Sequence, residues 1–144
     1  AISSDGALHV WGNDGWGQVS KQPKLGDGVW WLTVAAGTVY MAAVRSDGAL
    51  LLWGRDQVVL PLSDSQPKLK KGVRWLTVSA GLCHVAAVTT KGELFVWGVG
   101  PFDLLTGHPK SRFGWRAVAA GLFHTAALAS DGALHVWGDD SFGQ

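Results

Sequence analysis

A chain of 144 residues that is 47% hydrophobic and 16% charged has enough apolar material for a packed core, which excludes disorder. Its 12 Lys and Arg against 11 Asp and Glu leave a net charge of +1, too weak to argue for nucleic acid or a membrane surface. The single cysteine, Cys83, excludes an internal disulfide, and no apolar run reaches the length of about 18 residues that would span a bilayer.

In chain order, the first element is Asp5-Gly6-Ala7-Leu8-His9-Val10-Trp11-Gly12. The Asp-Gly pair supplies the positive φ of a tight hairpin turn, and the apolar run after it predicts a strand. A connection from Asn13 to Val29 follows. The segment Trp31-Leu32-Thr33-Val34-Ala35-Ala36-Gly37 predicts a strand, and Tyr40 to Val44 with Ala49 to Trp53 predicts a hairpin about Ser46-Asp47-Gly48. After a connection from Arg55 to Lys71 the same order returns in Trp75 to Gly81 and Lys91-Gly92-Glu93-Leu94-Phe95-Val96-Trp97-Gly98. A connection from Val99 to Arg112 leads to the last copy, Trp115 to Gly121 and Asp131 to Gly138.

The phrase ending in Trp-Gly therefore occurs four times and the Trp-led phrase three times. Within a unit the spacing is fixed, at 11 positions from Gly37 to Gly48, Gly81 to Gly92 and Gly121 to Gly132. From the Trp-Gly glycine to the next repeated Trp it varies, at 19, 21 and 17 positions. A constant scaffold with variable connections places specificity in the connections. The units lie at about 1–28 (partial), 29–71, 72–112 and 113–144 of one propeller segment, 1–144.

A period of 40 to 44 residues marked by Gly and Trp predicts an all-β fold, a β-propeller of four-stranded blades with about three and a half blades present. Both faces of the predicted strands are apolar, which suits a blade sandwiched between blades. Propellers have about four to eight blades. Ring closure is therefore expected through further blades of a longer chain, completing a seven-bladed ring, or through assembly of copies. The start, Ala1-Ile2-Ser3-Ser4-Asp5, has no initiator Met and no leader pattern, and an intracellular compartment is favoured.

The phrases Gly81-Leu82-Cys83-His84-Val85-Ala86-Ala87-Val88 and Gly121-Leu122-Phe123-His124-Thr125-Ala126-Ala127-Leu128 carry a Gly-x-x-His motif, with Tyr40 in the His place after Gly37. Together with Trp137-Gly138-Asp139-Asp140-Ser141-Phe142-Gly143-Gln144 and Asn13-Asp14-Gly15-Trp16-Gly17-Gln18, they resemble the repeat of the regulator-of-chromosome-condensation family. WD-repeat propellers fit less well, because Gly rather than Asp follows each Trp. The resemblance implies a seven-bladed propeller that binds a macromolecular partner. It also brings guanine-nucleotide exchange on a small GTPase, a structural role in a large assembly, and an inhibitor-type propeller as alternatives. A photoreceptor branch of the family carries Trp directly after the motif glycine; here those places hold Thr38, Leu82 and Leu122.

The residues suggest binding rather than catalysis. His84 and His124 occupy equivalent places in separate units, so they do not converge on a metal, and each ring is expected to hydrogen-bond backbone groups of its own blade. Cys83, in an apolar strand without a partner base, reads as an inert thiol. No phosphate cradle is indicated, since Gly26-Asp27-Gly28 precedes no helix, and no cofactor or metal is expected. Lys68, Lys70, Lys71 and Arg74, then Lys110, Arg112 and Arg116, read first as solvated charges and second as part of a binding rim. Trp16 and Trp30 stand outside the repeated Trp positions and are candidate interface anchors. With Asn13, Asp14, Arg55, Asp56 and Arg112 they form the candidate partner-binding set on the connecting loops.

Overall fold

A computed structural model of the chain describes residues 1–100, 102–141 and 143. Pro101 of the third connection, and Phe142 and Gln144 of the last family-like ending, lie outside the described residues.

The described residues form three copies of one antiparallel three-stranded sheet. The first holds β1 (Trp31–Ala36), β2 (Tyr40–Arg45) and β3 (Leu50–Gly54). The second holds β4 (Trp75–Ala80), β5 (His84–Thr89) and β6 (Leu94–Gly98), and the third β7 (Trp115–Ala120), β8 (His124–Ala129) and β9 (Leu134–Gly138). Register repeats position for position: Tyr40, His84 and His124 face Gly54, Gly98 and Gly138. Each first strand carries a bulge just after its Trp. β1 packs beside β4 and β4 beside β7, so the first strands converge while the third strands spread. That radial arrangement is the propeller geometry the repeat predicts.

Three details differ from the expectation. The blades have three strands: the connections, which carry Pro and Gly (Pro23, Gly26, Gly28; Pro67, Gly72; Pro109, Gly114), hold no fourth strand among the described residues. The fold is mostly β rather than all-β: α1 (Asp56–Asp64) and α2 (Phe102–Thr106) occupy the second and third connections. In α1, Val58, Val59 and Leu62 make an apolar stripe in which Leu62 follows at i+4 and i+3, and Leu62 is buried. Residues 1–11 form only a bridge between Ile2 and Leu8 rather than a sheet.

Each structural signature of the repeat has a local cause. In blade two, a Cβ on Gly81 would meet the His84 ring at 2.2 Å, so the motif glycine is the bare surface on which the ring lies. Gly98 has φ +129°, and a Cβ there would meet the Cys83 carbonyl oxygen at 2.4 Å, which accounts for Gly after Trp. The Trp pairs are core anchors: the Trp75 and Trp97 rings lie 5.6 Å apart, and Trp31 and Trp53 6.0 Å.

The blades are joined at both ends of their strands. The amide N–H groups of Trp31, Trp75 and Trp115 donate to the carbonyls of Gly6, Gly48 and Gly92, each from the preceding unit, at 2.9 to 3.2 Å. The indole N–H groups of Trp53, Trp97 and Trp137 donate to the carbonyls of Gln18, Leu62 and Leu104, at 2.9, 2.9 and 3.1 Å. The Trp-Gly tryptophan therefore fastens the connection that leads into its own blade. Leu62 and Leu104, both fully buried, press onto Gly98 and Gly138. Among the described residues, no helix is long and apolar enough to cross a membrane.

Candidate partner-binding surface

Strand direction separates the connections into two surfaces. Ala36, Tyr40 and Gly54 lie at one end of blade one, and Trp31, Arg45 and Leu50 at the other. The Gly-x-x-His turns and the starts of the connections share the first end, the Asp-Gly hairpins the second.

At the first end the loop after Trp11 is built on its own polar side chains. Asn13 Oδ1 accepts from the Gly15 N–H at 2.8 Å, and Asp14 Oδ1 accepts from the N–H groups of Val19 and Ser20 at 2.8 and 3.0 Å. These backbone donors hold the Asp14 carboxyl below the usual carboxylate range. The Gln18 side chain accepts from the Trp16 N–H at 2.9 Å, which leaves the indole standing out from the loop with 46% of its surface exposed. From the next connection, the Arg55 guanidinium sits 4.4 Å from the Trp16 ring centroid, a cation–π contact worth about 0.5–1 kcal/mol at an exposed site. Beside it Lys21 Nζ lies 3.1 Å from Asp56 Oδ1. That exposed ion pair adds little energy but ties the two connections together.

Of the seven candidate residues, the structure thus brings together Asn13, Asp14, Trp16, Arg55 and Asp56. Asn13 and Asp14 shape the loop, whereas Trp16 and Arg55 present the surface. Trp30 and Arg112 are exposed at the opposite end, in the approaches to β1 and β7. Trp30 lies against Gly6, whose added Cβ would meet the Trp30 Cβ at 2.6 Å. Lys21 is the participant that sequence reasoning missed; its partner is 35 positions away and no local pattern announces it.

The histidine position does not behave as expected. Its polar atoms reach the next blade rather than their own: the Tyr40 hydroxyl donates to the His84 carbonyl at 2.5 Å, and His84 Nε2 lies 3.1 Å from Thr125 Oγ1. The own-blade partner is instead the backbone, where the N–H groups of Gly37, Gly81 and Gly121 donate to the carbonyls of Tyr40, His84 and His124. Burial, and secondly the charge of His124, push the His84 pKa down to about 4. Burial likewise raises that of the Tyr40 hydroxyl. Cys83 is half-buried in the turn before β5, not within a strand. Among the described residues no group of three or more His, Cys, Asp or Glu is placed to hold a metal ion.

Residues 115–144 match the regulator of chromosome condensation (RCC1) repeat. No curated protein sequence matches the chain. Among solved structures, yeast RCC1 (Prp20) bound to Kap60 aligns over 82% of this chain and 32% of its own, at 24% identity and TM-score 0.64. A second structure, of Prp20p from Saccharomyces cerevisiae with its binding properties to Gsp1p and histones, aligns over 77% and 33%, at 16% identity and TM-score 0.60. Human WBSCR16 aligns over 79% and 35%, at 27% identity and TM-score 0.61. The CRINKLY WD40 ectodomain of the Arabidopsis thaliana receptor kinase ACR4 aligns over 95% and 45%, at 17% identity and TM-score 0.61. The chain spans a third to under a half of the length of these four.

Proposed function

We propose that this chain, a segment of an RCC1-type β-propeller, is a protein-binding module that docks its partner at the Trp16–Arg55 end and performs no catalysis. The observation that carries this reading is the exposed Trp16 indole held under the Arg55 guanidinium by two internally braced connections. Tryptophan and arginine dominate binding hot spots, and a side chain already ordered before docking loses less entropy on binding. The neighbours lend support at the level of fold: Prp20p is described with Gsp1p, histones and Kap60 as its binding partners.

The test is affinity capture with the chain and its Trp16→Ala and Arg55→Glu variants, followed by titration of whatever protein is retained. A specific partner should bind the parent and lose about 2 kcal/mol or more of affinity on Trp16→Ala, the scale of a hot-spot residue. Equal binding by all three forms would place the docking surface elsewhere.

A second reading, guanine-nucleotide exchange on a small GTPase, draws on the likeness to a propeller that binds Gsp1p. Release of a fluorescent guanine nucleotide from a panel of small GTPases tests it directly. Acceleration blocked by Arg55→Glu would unite the two readings, and no acceleration on any member would remove the second.

A further inference from the structure

The net charge of +1 conceals a strong separation of charge between the two ends of the blades. Of the 12 Lys and Arg, Lys21 and Arg55 belong to the Gly-x-x-His end, and the remaining ten lie at or lead into the Asp-Gly end. Five acids share that end with them, Asp5, Asp27, Asp47, Glu93 and Asp131, and Asp64 closes α1 on the way to it. Four of the five are engaged locally. Asp47 is paired with Arg45 and accepts from the Ala49 N–H, Asp5 accepts from Ser3 and the Ala7 N–H, Glu93 accepts from the Thr89 hydroxyl, and Asp131 accepts from the Ala133 N–H. At the other end Asp14, Asp56, Asp139 and Asp140 outnumber the two cations.

The basic end is also grooved, and the grooves repeat. One of about 550 Å³ lies between the Asp47-Gly48 hairpin and the connection Pro67, Lys68, Leu69, with Val73, Arg74 and Trp75 beyond. Another of about 570 Å³ lies in the equivalent place one unit earlier, between Asp5-Gly6 and Pro23, Lys24, Leu25, with Trp30 beyond. The same motif builds both, Gln22-Pro23-Lys24-Leu25 and Gln66-Pro67-Lys68-Leu69, and His108-Pro109-Lys110 continues the Pro-Lys pair in the third unit. Proline fixes the backbone of each connection, and its Lys stands beside the groove. Each groove has apolar side chains beside its cation, a seat for an apolar group next to a carboxylate.

We propose that the Asp-Gly end is a second docking surface, distinct from the Trp16–Arg55 end, for an extended acidic protein segment carrying interspersed apolar side chains. Its carboxylates meet Lys24, Lys68 and Lys110, one per blade, with Arg74 reinforcing the second station. Its apolar side chains enter the grooves beside Leu25 and Leu69. Apolar seats between the cations favour a peptide over a nucleic acid, whose phosphates need only a polar track.

The experiment is fluorescence anisotropy of the full chain with four labelled probes: a Glu–Leu peptide, a Glu-only peptide, a Lys–Leu peptide and single-stranded oligothymidylate. The Glu–Leu peptide should bind tightest, weaken as salt rises, and lose roughly tenfold in affinity for the Lys68→Glu, Lys110→Glu double variant. Arg55→Glu at the other end should leave it unchanged, which separates this surface from the Trp16–Arg55 reading. Lys24→Glu with Lys70→Glu is a second variant should the first fold poorly. The proposal is overturned if no probe binds at low salt, if the Lys–Leu peptide binds as well, if oligothymidylate binds tighter, or if Arg55→Glu abolishes binding equally.

Discussion

His84 Nε2 meets Thr125 Oγ1 at 3.1 Å across a blade boundary, and both side chains are inaccessible to water. One blade earlier Tyr40 makes the corresponding crossing to the His84 carbonyl. The Gly-x-x-His place is thus a connector between blades. Its residue must be long, flat and tipped with a polar atom, which is why Tyr replaces His in the first blade. Thr125 stands where the other blades have Met41 and Val85, so the partner groups differ from boundary to boundary.

This connector makes stability depend on pH. The His84 pKa is near 4 in the fold against 6.5 when free, so between these values the unfolded chain binds more protons and stability falls as pH is lowered from 6.5 to 4. A shift of this size corresponds to a loss on the order of 3 kcal/mol, complete only below pH 4. Urea unfolding midpoints at pH 7, 5.5 and 4 should therefore decline for the parent chain. The His84→Tyr variant, which places in blade two the residue that blade one carries at Tyr40, should lose most of that decline; an unchanged slope would assign the pH dependence to other groups.

The glycines separate packing from backbone freedom. A Cβ at Gly81 would meet the His84 ring and, at 2.7 Å, the Gly121 carbonyl oxygen, whereas Gly72, at φ +81°, has open space around it. Gly81→Ala should cost about 3 kcal/mol by displacing the connector ring. Gly72→Ala should cost about 1 kcal/mol, from the left-handed backbone alone. Chemical denaturation of both variants decides this, and equal costs would contradict the packing account of the motif glycine.

Trp97 tests how a connection is held. Its indole N–H is bonded to the Leu62 carbonyl, and Leu62 is itself buried against Gly98. Trp97→Phe keeps most of the ring but strands that carbonyl, at a cost of about 1–3 kcal/mol. Leu62→Ala removes the plug and should cost about 2–5 kcal/mol. Limited proteolysis should find the segment 55–73 cut faster in both variants than in the parent; cleavage elsewhere first would mean that α1 is secured by other contacts.

Much of this was legible in the sequence because the blade is written in backbone requirements. A positive φ at Gly48 and a close approach at Gly98 leave the same residue at the same place in each copy. The connections follow no such rule. The stripe Val58, Val59, Leu62 is too short to stand out against the blade period, and it makes a helix because a gap between blades accepts Leu62. The Trp16–Arg55 contact and the Lys21–Asp56 pair join separate connections, so only the folded ring brings them together. Trp30 and Arg112 looked equivalent to Trp16 and Arg55 as unrepeated loop residues, yet strand direction sends them to the opposite end.

The last blade shows what a blade face needs. Leu8, Leu50 and Leu94 are equivalent and buried, with 8%, 5% and 9% of their surface exposed, but Leu134 in the same place is 68% exposed. Val136 is exposed beside it, and a groove of about 140 Å³ between Ala117 and Leu128 opens on the third sheet. In the earlier units this leucine packs with the Trp that opens the next sheet, Trp31, Trp75 or Trp115, whereas none of the described strands lies over Leu134. An apolar sheet face of this kind associates with whatever apolar surface is available. The 144-residue chain should therefore show a mass in solution that rises with concentration, and Leu134→Lys with Val136→Lys should return it toward the monomer. Because both positions are exposed, the substitutions should alter monomer stability by only about 0.5 kcal/mol. Sedimentation velocity over a range of concentrations checks both forms; a parent chain that stays monomeric throughout would show that this face does not drive association.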